Sequence, residues 1–244
     1  MPRGSGEGRP AAGQPTAERV HGIFSGLARR YDLFNIVSSF GLDRRWRRKL
    51  VRVARISPGD RVLDLCAGTG DVALAVARRS RAAEVVATDF VEEMLAVARR
   101  KAEAYRGSAK LGFSLADAQN LPFEDDSFDV ATVAFGIRNL PDRAANFREV
   151  RRVLRPGGRY VVLEFSRPPR RPFRALYHFY LGRVVPLVGA VLAGDRGSFV
   201  YLNESIRAFP YQEALAAELR SAGFRDVEWA NLTGGIVALH VATK

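Results

Sequence analysis

One cysteine and three histidines in 244 residues leave little for disulfide or metal chemistry. The lone Cys66 excludes an intramolecular disulfide and fits a reducing cytosol, and its place in an apolar stretch predicts a packed thiol rather than a nucleophile. His21, His178 and His240 are scattered without metal-ligand spacing, so no metal is expected. Lysine is also scarce. Only Lys49, Lys101, Lys110 and Lys244 accompany the arginines that make up most of the 38 basic residues. No long apolar run is free of charge: Leu176 to Gly194 is interrupted by Arg183 and Pro186. A central arginine disfavours a transmembrane helix and favours an amphipathic lid that packs on the core or dips into a membrane surface. Residues 1–18 are rich in Gly, Pro, Arg and Ala and lack a signal-peptide core. They read as a disordered tail, and the protein is expected in the cytoplasm.

The chain is 47% hydrophobic, enough to bury the core of one α/β domain with additions. From Arg61 onward, strand and helix patterns alternate. Strands are expected at Arg61–Leu65, Glu84–Thr88, Gly112–Leu115, Phe128–Phe135 and Arg159–Phe165. Helices are expected at Asp71–Arg79, Glu92–Tyr105 and Arg143–Leu154. The rhythm breaks over 166–208, a helical insertion, and resumes with a helix at Tyr211–Ser221 and strands at Asp226–Leu232 and Ile236–Ala242. The expectation is a doubly wound, mostly parallel seven-stranded sheet. It forms a single domain over 19–244: an N-terminal helical segment (19–55), a ligand-binding core (56–165), the insertion, and the end of the core (209–244).

The most informative stretch is Val62-Leu63-Asp64-Leu65-Cys66-Ala67-Gly68-Thr69-Gly70-Asp71, with Asp89 nineteen residues beyond Gly70. Gly68 and Gly70 allow a tight turn and close approach of backbone to ligand, and the helix starting near Asp71 points free N–H groups at it. Asp89 closes the second strand, where a carboxylate can accept both ribose hydroxyls. With Ala73 in third place, the glycine spacing also satisfies a dinucleotide fingerprint. However, Asp64 and Asp71 flank the glycines, and no Lys or Arg lies between Arg61 and Arg78. A pyrophosphate there would meet two carboxylates without a counter-ion, whereas the sulfonium and ammonium of S-adenosylmethionine would be attracted.

The net charge of +12 is concentrated. Asp43 to Lys49 holds four arginines and a lysine around Trp46, and Phe165 to Gly194 holds five arginines and no acid, so both segments could meet anionic lipid or nucleic acid.

Several strings resemble the quinone C-methyltransferase family that methylates demethylmenaquinol and, in other members, a ubiquinone precursor. They are Tyr31-Asp32-Leu33-Phe34-Asn35 with Ser39-Phe40-Gly41 and Trp46, the glycine loop, and Phe135-Gly136-Ile137-Arg138-Asn139. Further matches are Arg152 to Gly158 running to Leu163-Glu164-Phe165-Ser166, then Tyr201-Leu202 with Glu204-Ser205-Ile206, and Asn231 to His240. The resemblance spans the chain from about Val20. It implies a Rossmann-like fold and S-adenosylmethionine as methyl donor, bound by Asp64, Gly68, Thr69, Gly70, Asp89, Asp117 and Ala118. Thr69 can offer its hydroxyl and N–H to the methionine end, and the Asp117 carboxylate can accept from the adenine amino group. Ala134 stands where the family often has serine, so a backbone contact replaces a side-chain one there.

The reaction this implies is methyl transfer to a ring carbon of a reduced polyprenyl quinone, made nucleophilic by loss of a hydroquinol proton. Arg138 and Asn139, after the fourth strand, are the expected catalytic pair. Arg138 stabilises the phenolate, since a guanidinium is no free base at neutral pH, and Asn139 orients the quinol oxygen or a water. Tyr31 and Tyr201 are secondary candidates, and His240 is better explained as structural. The isoprenoid tail calls for an apolar, membrane-facing entrance, for which Phe173 to Leu192 would serve, giving peripheral contact at the inner membrane face. A homodimer is compatible with the resemblance. An RNA methyltransferase is disfavoured, because the fourth strand is not followed by Asn/Asp-Pro-Pro-aromatic and the only cysteine lies in the glycine loop, so no nucleic-acid partner is expected. Naphthoquinol and benzoquinol rings both remain open, with demethylmenaquinol favoured by the Cys66-Ala67-Gly68 form.

Overall fold

The computed structural model describes residues 16–28, 31–39, 41–187 and 196–244. Most of the expected tail and residues 188–195 of the apolar run lie outside the described residues. Ala17 and Glu18, placed in the expected tail, are helical. Thr16 caps helix α1 (Ala17–Leu27), its hydroxyl accepting from Arg19 N–H at 3.3 Å.

Helices α2 (Tyr31–Ser39) and α3 (Asp43–Val53) lead to β1 (Arg61–Leu65). Alternation then gives α4 (Asp71–Arg79), β2 (Glu84–Asp89), α5 (Glu92–Ala102), β3 (Lys110–Leu115), β4 (Phe128–Ala134), α6 (Arg143–Val153) and β5 (Leu154–Phe165). The insertion comprises α7 (Arg171–Phe179), prolonged by a π turn at Tyr180–Val184, and α8 (Arg196–Ala208). Helix α9 (Gln212–Ser221) and strands β6 (Arg225–Leu232) and β7 (Val237–Thr243) complete the sheet. No described helix is long and apolar enough to cross a membrane.

The seven strands run in the order β3-β2-β1-β4-β5-β7-β6. β7 pairs antiparallel with both β5 and β6, and the remaining pairs are parallel. Buried on both faces, the central strands read as continuous apolar runs rather than as alternations. Val62, Val130 and Val161 join α3, α4 and α7 on one face, while Leu63, Ala131 and Val162 join α6 and α9 on the other. The Arg155-Pro156-Gly157-Gly158 turn shifts the β4–β5 register between Phe128 and Val130. Gly157 has φ 79°, and a Cβ on Gly158 would stand 2.8 Å from the Arg155 carbonyl. Strand order reverses between β1 and β4, and at such a switch point the loops leaving the carboxyl ends of the strands open a crevice.

Candidate active site

The two loops at the switch point are built alike. Cys66, just after β1, has φ 49°, and Phe135, just after β4, has φ 60°, conformations that non-glycine residues seldom adopt. Between them Gly136 has no room for a side chain, since a Cβ there would lie 2.3 Å from the Cys66 Cβ. Gly70, at φ 79°, ends the glycine loop against α5, where a Cβ would come within 2.9 Å of the Ala98 Cβ. Burial and neighbouring carboxylates push the Cys66 thiol well up, as expected of a packed thiol.

Asp89 is buried at the end of β2, where its Oδ2 accepts Gly68 N–H at 2.8 Å and its Oδ1 accepts Val91 N–H at 3.0 Å. Desolvation raises its pKa and the backbone donors pull it back. Each oxygen keeps a second lone pair for a ribose hydroxyl. Asp89, Gly68, Phe90 and Met94 line one small cavity. A second, lined by Arg47, Asp64, Thr69 and Ala134, lies beyond Tyr31 and Cys66, which border both. This arrangement suits a ligand with an apolar-faced nucleoside at one end and a charged group at the other. Asp64 Oδ1 accepts the Thr132 hydroxyl at 2.8 Å, while its Oδ2 is buried without a partner. Desolvation raises the Asp64 pKa to about 7. An orphaned, poorly solvated carboxylate oxygen in a cavity fits a cationic cofactor such as S-adenosylmethionine.

One expectation needs correction. The glycine loop has no local cation, yet the fold delivers two from a distance: Arg47 of α3 pairs with Asp71 Oδ2 and Lys101 of α5 with Oδ1, which lowers the Asp71 pKa against the cost of its burial. Arg47 Nη1 also meets Asp43 at 3.1 Å. The acidic character of the loop therefore rests on Asp64, and the charge argument against a pyrophosphate is weaker than the sequence alone suggested. The Thr69 hydroxyl is likewise engaged, donating to Asp32 at 2.8 Å and accepting from Lys101 at 3.1 Å.

On the β4 side, Arg138 is buried rather than free. Its Nη1 pairs with Glu164 Oε1 of β5 at 2.8 Å and also donates to the Phe135 carbonyl, and its backbone N–H donates to Glu164 Oε2 at 3.3 Å. The guanidinium carbon lies 5.3 Å from the Phe165 ring centre, and its Nε is buried without a partner. Burial raises the Glu164 pKa and Arg138 opposes the rise. Asn139 Oδ1 accepts the Tyr201 hydroxyl at 3.0 Å, joining α8 to the switch-point loop. Burial raises the Tyr31 and Tyr201 phenol pKa values, and Arg138 is the leading influence pulling both down.

Asp117 follows β3, at the same carboxyl edge of the sheet as Asp89. It is exposed, its Oδ1 accepts the Gln119 N–H at 2.9 Å, and it borders neither cavity. Ala118 beside it is buried, and its carbonyl accepts from Asn146 Nδ2 at 2.7 Å. His240 is buried, its ring Nε2 lying 2.9 Å from the Gln212 carbonyl, and it borders neither cavity. The sequence reading missed Arg47, Lys101, Asp32 and Glu164. Glu164 and Asp32 lay in matched strings, while Arg47 and Lys101 partner residues from 24 to 69 positions away.

The crevice at the switch point, the glycine loop with Asp89 and the seven-stranded sheet with an antiparallel β7 make a Rossmann-like fold of the methyltransferase type. The chain belongs to the ubiE/COQ5 methyltransferase family, whose model matches residues 13–244. It is 49% identical to a demethylmenaquinone methyltransferase of Thermus thermophilus over 91% of this chain and 100% of the relative. It is 44% identical to the ubiquinone/menaquinone biosynthesis C-methyltransferase UbiE of Geobacter sulfurreducens over 93% of this chain and 89% of the relative. Among solved structures, the [4+2]-cyclase SpnF has a TM-score of 0.69 at 19% identity, covering 95% of this chain and 97% of its own. A Haemonchus contortus phosphoethanolamine N-methyltransferase 2 in complex with S-adenosyl-L-methionine has a TM-score of 0.59 at 18% identity, covering 80% of this chain and 51% of its own. Since a cyclase shares it, the architecture alone does not name a reaction.

Proposed function

We propose that the protein transfers a methyl group from S-adenosylmethionine to a ring carbon of a reduced polyprenyl quinone, converting demethylmenaquinol to menaquinol. The observation that carries this is the near-half identity, over almost the whole chain, to proteins named for that activity. A benzoquinol precursor of ubiquinone, or both rings, is the second reading, favoured by similarity to UbiE of Geobacter sulfurreducens and of Paracoccus denitrificans.

When bound, the cofactor supplies an electrophilic methyl group on a cationic sulfur. The residues that would hold it are Asp64, Gly68, Thr69, Gly70, Asp89 and Ala134, with Asp117 and Ala118 at its adenine end. The quinol becomes nucleophilic as its hydroxyl proton leaves and the phenolate pushes electron density onto the neighbouring carbon. With the cofactor held there, its methyl would pass to that ring carbon as the sulfur–methyl bond breaks, and the displaced ring proton would leave to water to restore aromaticity. Arg138 Nε, a buried donor with no partner, is suited to hold the phenolate oxygen, and Glu164 fixes the guanidinium. Tyr201 occupies Asn139 Oδ1, which leaves Asn139 Nδ2 to orient the quinol oxygen or a water that takes its proton. Tyr31, between the two cavities, lies where ring and cofactor would meet.

The tail would enter from the α7 side, where Leu176, Phe179 and Leu187 are exposed among arginines, so the enzyme works in the cytoplasm at the inner membrane face. Unchanged vesicle binding after polarising these three residues would remove this part of the reading. The reaction is tested with purified protein, methyl-labelled S-adenosylmethionine and both reduced quinone precursors. Label is expected in menaquinol. Label in both products makes the enzyme dual, and label in neither overturns the assignment.

A further inference from the structure

Asp64 Oδ2 is not the only orphan in the second cavity. Arg47, 8% exposed, borders the same space, and its Nε is also buried without a partner. Both carboxylates that meet Arg47, Asp43 and Asp71, take its Nη1. The helix turn that carries it is pinned by Trp46, whose Nε1 donates to the Thr233 hydroxyl at 2.9 Å and whose ring packs on Phe135 and Phe165. Arg47 is held by Asp43 and Asp71, and Lys101 by Asp71 and Asp32, so two cations share three carboxylates, and what Arg47 keeps open to a ligand is its Nε donor. One cavity thus presents a buried donor on a cation and a buried acceptor on a carboxyl group, next to a nucleoside corner. Buried polar atoms of opposite kind, both unsatisfied, mark the outline of a ligand that has both complements.

We infer that Arg47 binds the α-carboxylate of the methyl donor, so that Arg47 and Asp64 together read the amino-acid zwitterion at its methionine end. The inference rests on S-adenosylmethionine being the cofactor of this corner. Arg47 belongs to the N-terminal helices rather than to the glycine loop, so helix α3 is part of the cofactor site. The small Ala134 side chain, which borders the same space, leaves room for the amino-acid end.

The test is titration calorimetry with three ligands: S-adenosylhomocysteine, its α-carboxamide, and methylthioadenosine, which has no amino-acid end. Arg47→Gln is expected to bind S-adenosylhomocysteine about 10-fold to 100-fold more weakly while holding methylthioadenosine within about twofold of wild type. Wild type should lose a similar factor on the carboxamide, and Arg47→Gln should lose little more on that ligand. The carboxamide titration on wild type needs no variant, and Arg47→Lys, which keeps the charge but not the Nε donor, serves if Arg47→Gln does not fold. Equal weakening of S-adenosylhomocysteine and methylthioadenosine would show that Arg47 only holds the loop in place, and no weakening of either would equally overturn the inference. Wild-type protein that binds neither ligand would instead overturn the cofactor reading itself.

Discussion

Two buried arginines face the switch point from opposite sides, and their surroundings differ. Arg138 sits in a dry one-to-one pair with Glu164, the two side chains 4% and 1% exposed. Arg47 is held by two carboxylates, one of them shared with Lys101, and Asp71 and Lys101 each keep more than a quarter of their side-chain surface in solvent. The first is a fixed dipole, costly to disturb, and suits a site where charge develops only during reaction. The second is a network with partners to spare, suited to a charged ligand that must come and go. Burial is common to the two arginines, and the number and exposure of their counter-ions are what set their proposed roles apart.

The sharpest way to break the contrast is to remove one carboxylate. Glu164→Ala strands a guanidinium that cannot neutralise itself, so unfolding free energy should fall by about 3–5 kcal/mol in urea denaturation. Arg138→Ala should cost less stability, because burial already raises the Glu164 pKa and lets the carboxyl take up a proton. Its effect falls on turnover, expected to drop about 100-fold or more in the labelled-methyl assay while S-adenosylhomocysteine affinity stays within about twofold. A comparable loss of affinity would move Arg138 into the cofactor site.

Acidity probes the other region. The folded-state pKa of Asp64, about 7, lies above its ordinary 3.8, so between those values the folded protein holds a proton that the unfolded chain releases. The contribution of Asp64 to cofactor-free stability, read as the difference between wild type and Asp64→Asn, should therefore be fullest below about pH 4 and decline by up to about 1.4 kcal/mol per unit as pH rises to about 7, then level off. Ligand affinity should run the other way, since an ammonium group favours the ionised carboxylate. Calorimetry in buffers of different ionisation enthalpy should show proton release on S-adenosylhomocysteine binding below about pH 7 and none well above it. Asp64→Asn should abolish the difference. The smallest effect belongs to Lys101→Ala, expected to cost less than about 1 kcal/mol in denaturation because Arg47 stays on Asp71 and the lysine is partly solvated.

The core strands were legible because their apolar runs have no other use. β1 falls at Arg61–Leu65 and α4 at Asp71–Arg79, as the pattern predicts. Boundaries moved where hydrogen bonds outran the pattern: β3 begins at Lys110 because its Cα partner is Glu84, and α5 ends at Ala102. Within the site, Asp89 could be read from its spacing to the glycines. The Arg47–Asp71 pairing could not, since 24 residues separate partners that only the docking of α3 brings together. The role of Glu164 was hidden for the opposite reason. A carboxylate in an apolar strand gives no sign of its partner until the neighbouring loop is placed.

The strand order has a bearing on synthesis. β6 reaches the sheet only through β7, which is translated after it. While the chain is still emerging from the ribosome, β6 has no partner and β5 presents an open edge beside a nearly finished sheet. The chain is therefore open to mispairing until β7 is laid down, and β7 then covers β5 and one side of β6, leaving β3 and β6 as the edges of the finished sheet.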